Sequence, residues 1–152
     1  MPAAVETVRH RQLRLLTTRP TELVDITDAI AEAIRDAGLA DGLVMVQTRH
    51  TTSGLMINEH EPLLLGDLEA LFERLVPAGE IYAHDNFAVR SINLMPGERR
   101  NGHAHCRAAL LRASESVPVV RGTLALGRWQ RVFFVDFDGG QVRTVSLTCM
   151  GV

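Results

Sequence analysis

Cysteine is scarce in this sequence, and neither sign of charge dominates. Cys106 and Cys149 are the two cysteines, too few for a disulfide framework and in keeping with a reducing compartment. They form no Cys-x-x-Cys pair, the unit from which closed structural zinc sites are commonly built. Sixteen Lys+Arg against 18 Asp+Glu leave a net charge of -2, so no global field draws the chain to nucleic acid. No apolar run reaches membrane-spanning length, and the N-terminus lacks the charged-then-apolar pattern of a signal peptide, so no membrane partner is expected. Internal repeats, low-complexity tracts and interdomain linkers are missing too. With 152 residues, 46% apolar and 22% charged, the expectation is one cytoplasmic domain, residues 1–152, with a core of ordinary size.

What is present is concentrated in Arg49-His50-Thr51-Thr52-Ser53-Gly54-Leu55-Met56-Ile57-Asn58-Glu59-His60-Glu61. Histidines, hydroxyls, an amide and carboxylates are threaded there by Leu55 and Ile57 at strand spacing. Polar chemistry on a strand entering a core suggests a site.

The elements around it follow from periodicity. Residues 5–18 alternate loosely and carry several arginines, which reads as an edge strand. Ile26, Ile30, Ala33, Ile34 and Ala37 make one stripe of a helix from about Asp25 to Ala37. Asp25 or Thr27 is placed to cap it, and Gly38 suits the left-handed position after its end. Leu43 to Thr52 reads as a central strand, with Val44, Val46, Thr48 and His50 on one face. The pattern resumes through Leu55, Met56 and Ile57, and Asn58-Glu59 turn into the next element. Pro62 opens a second helix and Pro77 stops it. Its stripe of Leu64, Leu65, Leu68, Leu71, Phe72 and Leu75 is expected to be core. Residues 78–102 are irregular, and a loop of that length is usually functional or mobile. A short helix is expected from about Ala104 to Arg112. Val117 to Val120, Gly122 to Leu126 and Trp129 to Phe137 read as strands, and Asp138-Gly139-Gly140 as a hairpin turn into Gln141 to Cys149.

Three histidines fall at element ends or loop bases. His50 is either a satisfied core histidine or a ligand, since it continues a partly buried row. His84 stands in the tandem His84-Asp85, a pairing common by chance. In His103-Ala104-His105 a helix turns the two rings about 200° apart, so one of them enters a common site. Three neutral imidazoles can hold Zn²⁺ with one position open, although three dispersed histidines also arise without a metal. Cys106 reads as a small buried apolar residue. Gln130, opening the apolar row Val132 and Phe134, is either hydrogen-bonded in the core or aimed at a ligand.

These segments together resemble a known family. His50-Thr51-Thr52-Ser53-Gly54-Leu55-Met56-Ile57-Asn58-Glu59 is similar to the His-Thr-[Ser/Thr]-x-x-Leu-x-[Ile/Leu]-Asn-Glu signature of the YjbQ family (UPF0047), small proteins also labelled secondary thiamine-phosphate synthase. Tyr82-Ala83-His84-Asp85 resembles its Tyr-x-His-[Asp/Asn] element. Asn101-Gly102-His103-Ala104-His105 resembles Asn-x-x-[Ala/Ser]-His, with the constant histidine on His105. Leu126-Gly127-Arg128-Trp129-Gln130-Arg131-Val132 resembles Gly-x-Trp-Gln. Order and spacing agree over about residues 10–150. Two departures stand out. The segment Phe87 to Arg100 is longer than in the shorter members, and Leu111-Arg112-Ala113-Ser114 stands where many have Leu-Gly-Pro-Ser. A phosphate-binding role is therefore not carried over to that turn.

The resemblance implies an α+β fold. Its core is a mixed, mostly antiparallel sheet or sandwich, with two longer helices and one short one, assembled as a homotrimer. It implies that His50, His84 and His105 converge on a divalent metal, zinc in the first place, with magnesium as the alternative. It also implies a thiamine-phosphate synthase activity, with Thr51, Thr52, Ser53, Asn58, Asn101 and the Arg99-Arg100 pair as donors around a phosphorylated or anionic metabolite and Trp129 stacked on a ring. Three histidines suit zinc, whereas that reaction ordinarily uses Mg²⁺ on carboxylates, so the synthase activity is expected to be weak. The alternatives are a zinc-dependent hydrolase or lyase with Glu59 or Asp85 as base, and a non-catalytic trimeric metal- or metabolite-binding module.

Overall fold

The computed structural model describes residues 6–152, and Val5, where the first strand is expected to begin, lies outside them. The chain runs β1 (Thr7–Leu16), β2 (Glu22–Asp25), α1 (Thr27–Ala37), β3 (Gly42–Thr48), β4 (Ser53–Glu59), α2 (Pro62–Leu75), a 3-10 turn (Ala83–Asp85), α3 (Gly102–Ala108), β5 (Ser114–Val120), β6 (Thr123–Leu124), β7 (Gln130–Asp136) and β8 (Val142–Gly151). One sheet has the order β1-β8-β3-β5-β6, the other β2-β7-β4, and every pairing is antiparallel. The expected fold class holds: α+β, with two longer helices and a short third.

Strand phase explains how these sheets stack. Val44, Val46, Val117, Val119, Val145, Leu147 and Cys149 of the larger sheet meet Leu55, Val132 and Phe134 of the smaller, and Ile26, Ile30, Ala33 and Ile34 of α1 join them. The alternate residues of β7, Phe133 and Val135, point the other way. There they meet Phe72 of α2 and Ala104 of α3 in a second core. A strand buried on both faces has no polar side to show, which is why β7 reads as a continuous apolar run. Removing a Phe, Leu or Val of this kind from water contributes about 1.5–3 kcal/mol. Gly38 ends α1 in the left-handed conformation, φ 65°, as its position suggests.

Several expectations are corrected. The strand from Leu43 stops at Thr48, because Thr48 Oγ1 accepts from the His50 amide at 3.2 Å and hydrogen-bonds Ser53 Oγ at 2.6 Å. These local side-chain bonds replace the ladder. β3 and β4 consequently belong to different sheets. The Asp138-Gly139-Gly140 turn is not a hairpin turn either: β7 and β8 do not pair, and the turn carries the chain from the smaller sheet to the larger. Asn58 and Glu59 are the last residues of β4 rather than a turn. β2 was hidden before α1, and the Asp25 side chain accepts from the Thr27 amide and hydroxyl without formally capping the helix. The strand expected over Gly122 to Leu126 shrinks to Thr123–Leu124, and α3 begins two residues earlier and ends four earlier than expected.

The α2 stripe is only half core. Phe72 is buried, while Leu71 and Leu75 are exposed, since a three-stranded sheet is too narrow to cover a four-turn helix. Cys106, expected to be buried, is exposed, because the inner face of α3 is taken by Ala104 and Arg107.

Candidate functional site

Two of the crossings between the sheets, β3 to β4 and β7 to β8, lie against each other, and a cavity opens over them. The Arg49 amide donates to the Thr144 carbonyl at 3.2 Å and the Phe137 amide to the Thr52 carbonyl at 3.0 Å, which ties residues 49–52 to the start of the 137–141 turn and to β8 beyond it. Under the junction Asp136 and Arg143 form a buried pair: Arg143 Nε lies 2.8 Å from Asp136 Oδ2 and Nη2 2.7 Å from Oδ1. Nη2 also reaches the Thr52 hydroxyl at 3.0 Å and the Asp138 carbonyl at 2.9 Å. Thr17 adds a hydroxyl to Asp136 at 2.8 Å. Arg143 and Asp136 are 4% and 0% exposed, so the pair is desolvated and held by bidentate geometry.

The cavity has a volume of about 560 Å³. It draws His50, Thr51 and Thr52 from the first crossing, His84 from the 3-10 turn, Asn101 and His105 from the start of α3, and Arg143 from β8. Arg49, His50, Thr51 and His105 also line a neighbouring space of about 580 Å³. The three expected histidines are thus brought to one place from three separate parts of the chain. His84 and His105 pack edge to face with ring centroids 4.5 Å apart. Across α3, His103 faces a different cavity of about 640 Å³ with Tyr82 and Asp85, as the helical divergence of the pair requires.

The ring nitrogens are committed. The Thr144 amide donates to His50 Nε2 at 2.8 Å, and Arg90 Nη1 approaches His84 Nε2 at 2.9 Å. A guanidinium and an amide only donate, so both Nε2 atoms accept, and the proton of each neutral ring sits on Nδ1. Burial pushes the His50 pKa down, helped by Arg143 and Arg49. Burial and then His84 push the His105 pKa down, while a hydrogen bond to the Thr51 backbone opposes the shift. His50 and His105 are therefore neutral at neutral pH.

This arrangement does not fit a three-histidine metal centre. A metal needs a free lone pair from each ring, and those of His50 and His84 are already given to N–H groups. Among the described residues no three His, Cys, Asp or Glu side chains are grouped to hold a metal.

The other expected residues divide. Thr51, Thr52 and Asn101 line the cavity. Ser53 is buried and serves the turn, its hydroxyl donating to the His50 carbonyl at 3.4 Å. Asp85 lies behind the α3 start, where Oδ1 accepts from the Asn101 and Gly102 amides. Asn58, Glu59, Trp129 and Gln130 are at the opposite end of the smaller sheet. Ser53 and Glu59 are the two ends of β4, roughly 20 Å apart at strand rise, and Glu59 pairs with Gln130. Trp129 is 62% exposed beside its own Arg128 guanidinium, 4.8 Å from the ring, and Gln130 Oε1 accepts from the Gly127 amide at 2.7 Å.

Arg49, from the head of the polar stretch, also lines the cavity, with residues not singled out from the sequence: Arg90, Glu98, Asp138, Gln141 and Arg143 among them. One signal was available. Asp136 stands between Val135 and Phe137 at the end of an apolar run, and a carboxylate there needs a cation nearby.

The fold and its site therefore define a two-sheet α+β protein with a histidine- and arginine-lined cavity at the crossings between its sheets. Residues 11–152 match the model of the family described as "UPF0047 protein YjbQ-like", and the chain belongs to that family. It is 42% identical to a UPF0047 protein of Archaeoglobus fulgidus, over 91% of this chain and 99% of that one. It is 36% identical to one of Methanothermobacter thermautotrophicus, over 95% and 93%. Among solved structures it is similar to a protein of unknown function from Sulfolobus solfataricus P2, with TM-score 0.86, 28% identity and coverage of 97% of this chain and 100% of that one. A hypothetical protein from Aeropyrum pernix K1 gives TM-score 0.80, 32% identity and coverage of 91% and 96%.

Proposed function

We propose that the cavity binds a small anionic metabolite, most simply a phosphorylated one, and that neutral His105 serves as a proton acceptor beside it. The observation that carries this reading is Arg143. Its Nε and Nη2 are spent on Asp136, Thr52 and Asp138, but Nη1 makes no hydrogen bond among the described residues. Asn101 Oδ1 is the buried side-chain atom left without a partner there. Arg143 Nη1 is thus unpartnered yet not sealed off, and two charge-assisted N–H donors on a rigid guanidinium suit an oxyanion. Arg49, exposed at the rim, adds an uncommitted positive charge.

The test is calorimetric titration with inorganic phosphate and pyrophosphate. Arg143→Met alone would leave Asp136 buried without its partner, at about 3–5 kcal/mol. The variant to use is therefore Asp136→Asn with Arg143→Met. Loss of at least tenfold in affinity is expected, and unchanged affinity would remove the reading.

The synthase activity implied by the resemblance belongs to the same proposal, since both of its substrates are phosphorylated. Its support is the phosphate-compatible cavity; the distant Trp129 gives it none. Wild-type protein that joins the pyrimidine-methyl diphosphate and the thiazole phosphate no faster than His105→Gln would exclude it. In the hydrolase alternative His105 takes the base role expected of Glu59. Cytoplasmic location, supported by two free cysteines, and a homotrimer complete the proposal. Among the described residues no helix is long and apolar enough to cross a membrane. A sedimenting species of 16.7 kDa would remove the trimer.

A further inference from the structure

We infer that the histidines His50 and His84 form a metal-free oxyanion cradle, each donating through Nδ1–H, and that Arg90 in the Phe87–Arg100 segment is the positioning residue that holds His84 in that tautomer. The inference rests on the anion reading of the cavity and adds to it how the anion is recognised.

Arg90 and Arg143 line the same cavity and are used in opposite ways. Arg143 keeps Nη1 free. Arg90 keeps nothing: Nε donates to the Ile92 carbonyl at 3.3 Å, Nη1 to His84 Nε2 at 2.9 Å and the His84 carbonyl at 3.0 Å, and Nη2 to the Asn93 carbonyl at 2.9 Å and Glu98 Oε1 at 2.5 Å. Five N–H groups meet five acceptors. Such a guanidinium is no ligand for a substrate anion. It knots the segment onto His84 and forces the ring to accept at Nε2.

His50 reaches the same state by another route, since its Nε2 accepts from the backbone amide of Thr144. Neither ring's Nδ1 has a partner among the described residues, and neither is among the sealed-off polar atoms. Two neutral imidazoles thus offer N–H donors at accessible atoms, in the cavity that Arg143 also lines. Donors fixed before the ligand arrives cost no reorganisation when it binds. The Phe87–Arg100 segment therefore supplies the residue that fixes the chemistry of His84.

The test uses ¹⁵N-labelled protein in EDTA at pH 8, with side-chain imidazole correlations assigned through His50→Gln and His84→Gln. Both rings are expected to carry Nδ1–H. In Arg90→Met the His84 proton moves to Nε2, the usual position in a free neutral side chain, while His50 stays unchanged. Arg90→Lys restores Nδ1–H, because an ammonium also only donates. Phosphate affinity, measured in the same EDTA buffer, falls about tenfold in Arg90→Met, the scale of one lost hydrogen bond to a charged group, and recovers in Arg90→Lys. Nε2–H on both wild-type rings would overturn the cradle. So would one equivalent of zinc, added after the EDTA has been dialysed away, shifting His50, His84 and His105 together, or phosphate affinity unchanged in Arg90→Met. Phosphate failing to bind the wild type at all, with both tautomers as stated, would instead bring down the anion reading and the cradle with it.

Discussion

At the scale of residues, the depressed pKa values of His50 and His105 have a consequence that needs no ligand. Each ring sits below the ordinary 6.5 because burial disfavours its charged form. The unfolded chain therefore takes up protons first as the pH falls through 6.5. Stability is retained above that value and declines as the pH falls below it, until the folded rings are protonated too. The thermal midpoint should be level from pH 7.5 upward and should drop on acidification below 6.5. In His105→Gln the drop should be shallower. An acid limb of equal slope in His50→Gln, His105→Gln and the wild type would show that these rings do not carry it. His50 itself was legible in the sequence as a residue on a buried row, and so was the divergence of His103 from His105. Which of its nitrogens was free was not legible, because the donor that settles it, the Thr144 amide, comes from 94 residues further along the chain.

At the scale of elements, helices with an unambiguous apolar period were the easiest to place, yet their burial was not. The α2 stripe repeats without a fault, but a helix shows its period whether or not the sheet beneath is wide enough to cover it. This makes a contrast that urea denaturation can check. Phe72→Ala, which empties part of the second core, should cost about 3–5 kcal/mol. Leu75→Glu, at a residue 60% exposed, should stay within about 0.5 kcal/mol; a loss above 2 kcal/mol there would mean that another surface covers it. Gly54 is a sharper case. A Cβ there would lie 2.6 Å from Leu111 Cβ and 3.3 Å from the Arg112 carbonyl oxygen. β4 has no room to retreat, since the Leu55 amide is bonded to that same carbonyl at 2.8 Å. Gly54→Ala should therefore cost about 1–3 kcal/mol, and a cost below about 0.5 kcal/mol would show that the 111–112 segment yields. The sequence made Gly54 look like a break in a strand. Its reason is the close pass of a segment almost 60 residues later.

At the scale of the whole molecule, the site exists because the chain crosses between the sheets at 49–52 and again at 137–141, at one end. Local patterns predicted a strand through Thr52 and a hairpin at Asp138-Gly139-Gly140, and both were reasonable for a single sheet. A crossover is invisible to periodicity, because the strands on either side alternate as a hairpin's would. The histidines could thus be collected from the sequence, whereas the Asp136–Arg143 pair on which they rest could not. Nor could the distance separating them from Glu59 and Trp129. The same topology predicts that a ligand in the cavity braces both sheets at once and stabilises the fold as a unit. Inorganic phosphate at about 100 times its dissociation constant should add about 2.7 kcal/mol. At about 2–4 °C per kcal/mol for a chain of this size, the thermal midpoint should rise by roughly 5–11 °C. Chloride at the same ionic strength should leave it within a degree, which separates occupancy of the cavity from screening of surface charge. In the Asp136→Asn, Arg143→Met double variant the rise should disappear even if the variant's own midpoint is close to that of the wild type. A phosphate-dependent rise that survives that substitution would place the anion elsewhere on the molecule.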